Sequence, residues 1–203
     1  MSLNASTIIS LLALAVSVAT AWLTLFRRGS LGMTQPTVIF FGWDGGRLNA
    51  KPQPKVFLRT LLFATSKRGQ LLESLHVRLS RGESTQNFNI WAYGDREVLV
   101  RGSGLYVGET AVAANHHFLL PVDTPAFRFA AGKYRLDVFA RILHRRKPLL
   151  LFSRDLDVSA QDAEALSNPD TGLYFDWGPD SGKYYAHLDN TTARERGADT
   201  RIS

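Results

Sequence analysis

The sequence contains no cysteine. That absence removes disulfide scaffolds, thiol nucleophiles, iron–sulfur clusters and thiolate zinc sites in one step. Recognisable catalytic spacing is missing as well. The histidines are His76, His116, His117, His144 and His187, and they form no H-x-H, HExxH or facial-triad pattern. His116 and His117 are adjacent in a strand-like stretch, so they point to opposite faces of a sheet and cannot share one metal. No G-x-S-x-G elbow supports a serine hydrolase. "GSGLYVG", Gly102 to Gly108, lacks the lysine and the following helix of a phosphate loop, and reads as a turn. Asp170, Asp176, Asp180 and Asp189 lack the alternating spacing of a calcium loop and suit tight turns instead. On these grounds we expect no cofactor and no metal, and assign no catalytic residue.

Charge is missing from one region altogether. Residues 1–26 contain no Asp, Glu, Lys or Arg. From Ile8 to Phe26 the only polar side chains are Ser10, Ser17, Thr20 and Thr24, whose hydroxyls can bond the carbonyl one turn earlier. As a helix this run would extend about 28 Å, close to the hydrocarbon thickness of a bilayer. Trp22 lies near its end, where an indole favours the headgroup layer, and Arg27 and Arg28 stop it. A cleaved signal would need a basic start, a shorter apolar core and a small-x-small site. "MSLNAST" carries no Lys or Arg, and cutting at Ala19-Thr20-Ala21 would leave an apolar mature terminus. The anchor reading is therefore preferred: a tail over 1–7, then a transmembrane helix over 8–26. Trp22, Arg27 and Arg28 act as its interface and topology residues. Because flanking Lys and Arg tend to stay cytoplasmic, the body is expected in the cytoplasm, with the periplasm as the alternative.

Beyond the apolar run the chain is turn-rich and period-two. A linker over 27–36 leads to "TVIFFGW" and a turn at Asp44. "VFLRTLLFAT", from Val56, is apolar on both faces and reads as a central strand. In "LLESLHVRLSR", Leu71, Leu75, Val77 and Leu79 share one face. Phe88, Ile90 and Ala92 share another. "NHHFLLPV" is the next strand. In "GKYRLDVFARIL", Tyr134, Leu136, Val138, Ala140 and Ile142 alternate with polar residues, and Leu150, Phe152, Leu156 and Val158 come next on one parity. About seven short strands with little helical periodicity predict an all-β antiparallel sandwich over 37–158. One helix is expected near 160–167, capped by Ser159 with Asp162 three residues on and ended before Pro169. It opens a helix and aromatic–acidic appendage over 159–189, and a polar, disordered tail occupies 190–203.

Charge is unevenly spread through this body. Arg27 to Arg154 holds 20 Lys and Arg against 8 Asp and Glu, whereas Asp155 to Ser203 holds 4 against 10. The densest basic group is a hairpin turn: Arg141, His144, Arg145, Arg146 and Lys147. These residues are the candidates for contact with an anionic surface, each Lys or Arg near a headgroup layer contributing about 1 kcal/mol. No nucleic-acid motif or aromatic-interleaved basic face accompanies them, which argues against nucleic acid.

Gly-Lys-Tyr-x-Leu-x-Val before a final hairpin, at Gly132 to Val138, resembles the closing strands of immunoglobulin-like sandwiches. With "KVFLRTLLFATSKRG", "FNIWAYG" and "GLYFDWGPDSG", the chain resembles the uncharacterised bacterial single-pass membrane proteins that pair one N-terminal span with a small immunoglobulin-like sandwich. The resemblance implies the bacterial inner membrane and no activity. Two functions compete. The first is a membrane-tethered, non-enzymatic interaction module with a protein partner. The second is a membrane-associated enzyme or small-ligand receptor, its pocket lined by Trp43, Trp91, Trp177 and His187.

Overall fold

The protein is seen in a computed structural model that describes residues 4–26, 29–45, 52–94, 99–121, 123–124 and 127–190. Helix α1 (Ala5–Ala21) comes first and continues as a π-helical stretch, Trp22–Phe26. Its hydroxyls behave as the composition predicts: Ser17 donates to the Ala13 carbonyl, Thr20 to Val16 and Thr24 to Thr20, each at 2.8 Å. Ala5–Thr24 is a 20-residue stretch long and apolar enough to cross a membrane, and none of it is buried against the body. The helix thus begins three residues before the expected 8–26 span.

The strands come in order. The first six are β1 (Leu31–Met33), β2 (Val38–Trp43), β3 (Pro54–Ala64), β4 (Gln70–Arg81), β5 (Ser84–Phe88) and β6 (Ile90–Tyr93). Then come β7 (Val100–Arg101), β8 (Leu105–Val107), β9 (Val112–Leu119), β10 (Gly132–Ile142) and β11 (Leu149–Val158). Helix α2 (Ala160–Ala165) precedes β12 (Thr171–Gly178) and β13 (Lys183–Asn190). They form two antiparallel sheets packed as a sandwich. The larger runs β13-β12-β2-β3-β9-β6-β7, with β1 also on β3, and the smaller runs β11-β10-β4-β5, with β8 also on β4. The core lies between them. Ile39, Phe41, Val56, Leu58, Phe118 and Phe175 come from the larger sheet, and Leu75, Val77, Leu79, Leu136 and Val138 from the smaller.

Several local expectations change for identifiable reasons. Residues 31–33 of the expected 27–36 linker are strand β1, with Leu31 opposite Ala64 and buried. On β4 the face read from Leu71 reverses: Leu71 is exposed and Leu72 is fully buried. The pairing with β10 steps from Arg141↔Ser74 to Ile142↔Leu72, so Glu73 is the extra residue of a bulge. A second irregularity steps from Val138↔Phe152 to Phe139↔Leu150; Leu151 then packs on the core and Leu150 is exposed. Phe88 and Ile90 do not share a face, because the chain leaves the smaller sheet after β5 and joins the larger one at β6, which places Trp91 in the core. β3 is central as expected, but Arg59 on its outer face is exposed.

The capping box at α2 is formed: Ser159 Oγ accepts from the Asp162 backbone N–H at 3.0 Å, and Asp162 accepts from the Ser159 N–H at 3.2 Å. The aromatic–acidic part of the 159–189 segment is a strand–turn–strand hairpin. β12 pairs with β2 from Leu173↔Phe41 to Asp176↔Val38, so the β12–β13 hairpin extends the larger sheet. Of the expected disordered tail, Asn190 closes β13 and 191–203 lie outside the described residues.

Candidate functional site

The topology gathers the basic turn and the membrane helix at one end of the sandwich. The chain arrives from the π-helical stretch at Gly29 and Ser30, which are fastened to the β3–β4 turn. Ser30 N–H donates to Thr65 Oγ1 at 2.8 Å, Thr65 N–H donates to the Ser30 carbonyl at 3.0 Å, and Gln70 Nε2 donates to the Gly29 carbonyl at 2.7 Å. Gly29 suits this seam because a Cβ there would come within 2.7 Å of Ser66 atoms. Lys67 and Arg68 project from the same turn and are exposed, and Tyr106 Oη donates to the Arg68 carbonyl at 3.1 Å. Next to them lies the β10–β11 turn, bound to the start of β4 by a bond of 2.9 Å from Leu143 N–H to the Leu71 carbonyl.

That turn is tight. His144 sits at φ 69°, left-handed backbone in which histidine is among the better-tolerated side chains, and Arg145 N–H donates to the Ile142 carbonyl at 3.0 Å. His144, Arg145, Arg146 and Lys147 are all exposed. Arg141 differs from them: its Nε meets Glu73 at 3.1 Å, so part of its charge is already balanced. The bulge that reverses the β4 face is what sets Glu73 beside it. Among the described residues, Glu109, just beyond β8, and Asp180, in the β12–β13 turn, are exposed carboxylates at this end. Trp22 lies in the π-helical stretch and is exposed. Arg27 and Arg28 lie outside the described residues.

Trp43, Trp91, Trp177 and His187 do not line one pocket. Trp43 Nε1 donates to the Leu166 carbonyl at 2.9 Å, beside α2. Trp91 is buried and donates to His116 Nδ1 at 3.2 Å on the other side of β3. Trp177 and His187 belong to the β12–β13 hairpin but occupy opposite faces. Trp177 packs on Tyr184 and under the Arg154 guanidinium, while His187 stacks on Tyr174 with Asp176 at 3.4 Å. A shallow surface depression over β10 and β11 is lined by Lys133, Arg135, Ser153, Arg154, Asp155 and Asp157, and Lys133 and Asp155 pair within it at 3.3 Å. Among the described residues no group of three or more His, Asp or Glu could hold a metal ion.

Two features escaped the sequence reading. His116 faces the interior beside Trp91 and Phe118, and burial holds its pKa down at about 4. A polar residue on the core parity of "NHHF" was the available signal, but the sequence does not say which of two adjacent histidines points inward. The second is a seam that closes the side of the sandwich at β11. Tyr184 Oη donates to the Pro36 carbonyl and accepts from Gln35 Nε2, both at 2.7 Å, and Arg154 donates to the Gly182 carbonyl at 2.7 Å. Burial raises the Tyr184 phenol to about 12, so it remains a donor throughout the physiological range. The partners are separated by up to 149 residues, and no local pattern announces them. No protein-family model matches the chain, and neither does any curated protein.

Proposed function

We propose that the chain is a membrane-tethered, non-enzymatic interaction module. One observation carries the reading: a 20-residue apolar helix that no part of the body covers, joined to a sandwich whose core closes without it. An apolar helix exposed all round is stable in lipid and unfavourable in water. The partner-binding side of the reading draws on β13. It is an eight-residue edge strand with Tyr185 and Leu188 exposed, and edges of this kind accept a further strand from a protein partner.

Two finer points belong to the same reading. The sandwich is taken as immunoglobulin-like. The order β2-β3-β9-β6 against β11-β10-β4-β5 supports this, being the A-B-E-D and G-F-C-C′ order of such domains. So does Tyr134 at the start of β10, whose hydroxyl donates to the Ala130 carbonyl at 2.9 Å in the manner of a tyrosine corner. The β12–β13 hairpin is an addition to that plan. The body is placed on the cytoplasmic side of a bacterial inner membrane, supported by the concentration of Lys and Arg at the end next to the helix.

The test is extraction of membranes from cells expressing the full chain, with protease digestion of a C-terminal tag in spheroplasts. The expected result is retention in the membrane pellet after alkaline carbonate, with the tag protected. Release by carbonate would remove the tether, and digestion of the tag would move the body outside. A turnover lost on changing one side chain would sink the non-enzymatic reading.

A further inference from the structure

We propose that the helix-bearing end of the sandwich is a docking surface for anionic phospholipid headgroups, with Lys67, Arg68, Arg145, Arg146 and Lys147 as its contacts. The inference deepens the membrane-tether reading and rests on it. One reason is reach. Phe26 ends the helical stretch and Gly29 is already fastened to the body, so their Cα atoms are separated by three peptide steps, at most about 11 Å. Whatever the tilt of the body, this end stays near the bilayer surface. That distance is comparable with a screening length of roughly 10 Å at 0.1 M salt, so charges at this end stay within range of the headgroup layer and respond to added salt.

The other reason is which charges the fold places there. Lys67 and Arg68 occupy the turn to which Ser30 is bonded, and Arg145, Arg146 and Lys147 occupy the turn joined to the start of β4 through Leu143. These groups are distant in sequence, and only the pairing of β4 with β10 makes them neighbours. On the acidic side, among the described residues, Glu73 is engaged by Arg141, and Glu109 and Asp180 are exposed, Asp180 on the β12–β13 turn at the far edge of the larger sheet. The opposite end, beyond β11, carries Asp162, Glu164 and Asp170 together with Arg81, Arg128 and Lys133, and Lys133 is paired with Asp155. Among the described residues the helix end is therefore the more basic of the two. A phosphodiester surface is what such an end fits, because Arg and Lys donate to phosphate oxygens and a headgroup layer offers many of them side by side.

The absence of cysteine makes the test direct. Full-length protein carrying Pro148→Cys at the basic turn, or Glu83→Cys at the opposite end, is labelled with a fluorophore and reconstituted into vesicles bearing a headgroup-attached quencher. The vesicles are phosphatidylcholine alone or phosphatidylcholine with phosphatidylglycerol. We expect quenching at position 148 to rise roughly twofold with phosphatidylglycerol, and the rise to vanish in high salt. Combined substitution Arg145→Gln, Arg146→Gln and Lys147→Gln should remove most of it, with position 83 unchanged throughout. Equal quenching in the two lipids, an undiminished rise in the triple variant, or an equal rise at position 83 would each overturn the proposal. Flotation with phosphatidylcholine alone separates this failure from loss of the anchor. A chain that does not float there has no spanning helix, and the docking surface falls with it.

Discussion

The two ends of the sandwich are built from different materials. The end away from the helix is filled with rings: Phe41 stacks on Phe129 at 5.3 Å, Phe129 meets Phe127 edge-on at 5.0 Å, and Phe41 meets Phe175 at 5.2 Å and Tyr134 at 5.9 Å. Leu166, just after α2, is buried there, and its carbonyl accepts from Trp43 Nε1. The end next to the helix has a glycine seam, short polar bonds and a fringe of exposed Lys and Arg. The core reaches both ends, through Leu62, Leu72, Val107 and Ile142 beside the helix, but the helix end adds a fringe of basic charge facing whatever adjoins it. The difference teaches that stability and surface contact are separable in this molecule, and substitutions at the two ends should sort accordingly.

The largest effect is expected from Phe129→Ala. The ring is buried in the loop between β9 and β10 and touches side chains from both sheets. Truncation removes apolar burial and leaves a cavity that surrounding strands cannot collapse to fill, for a loss of about 3–5 kcal/mol. Urea unfolding of the reconstituted protein checks this. A loss under about 1 kcal/mol would mean that the aromatic end is not the clamp it is taken to be.

Acid should act next most strongly, and on neither end. His116 lies in the middle of the larger sheet, opposite Leu58 and Tyr93, with a folded-state pKa lowered by burial to about 4. Between that value and the unfolded 6.5 the unfolded chain takes up a proton that the native core refuses. The contribution is therefore intact above about pH 6.5 and drains away as pH falls to about 4, by about 3 kcal/mol in all. His116→Gln keeps an acceptor for Trp91 without titrating, and should flatten most of the acid slope in a series of urea midpoints. A smaller slope in the same direction remains from His76, whose pKa burial and Arg78 also lower.

Tyr134→Phe comes below these. It deletes the hydroxyl that donates to the Ala130 carbonyl and keeps the ring against Phe41. Loss of one such bond costs about 1 kcal/mol, more where the carbonyl is left without water. If the variant is as stable as the parent, the corner is decorative, and one of the two supports for the immunoglobulin-like reading goes with it.

The same contrast separates what was legible in the sequence from what was not. "GKYRLDVFARIL" alternates without interruption, and all of Tyr134, Leu136, Val138, Ala140 and Ile142 are buried as its period requires. The apolar run at the start and the capping box of α2 were equally plain, because each depends on residues a few positions apart. Parity failed where an extra residue entered a strand, at Glu73 and at Leu151, since a bulge leaves no local mark and reverses every side chain beyond it. β1 leaves no mark in the sequence, because a three-residue strand with a central glycine carries too short a pattern. The basic turn was visible as a charge run, but its value depends on the β4–β10 pairing that sets it beside Lys67, Arg68 and the helix. Trp43, Trp91, Trp177 and His187 share chemistry but not a place, because strand order separates them.

The smallest expected effect is the one that sharpens the comparison most. Replacing Arg145, Arg146 and Lys147 by Gln changes side chains that are exposed and belong to a backbone turn held by its own bonds from Leu143 and Arg145. Exposed substitutions of this kind usually shift stability by no more than about 0.5 kcal/mol each. Removing three like charges from one turn also relieves repulsion, which works in the opposite direction. The urea midpoint of the triple variant should therefore lie close to that of the parent. A large drop would show the turn to be structural and would merge the two ends into one stabilising unit. An unchanged midpoint, beside the several-kcal/mol loss from one ring at the opposite end, would establish that the charge next to the helix is not there to hold the sandwich together.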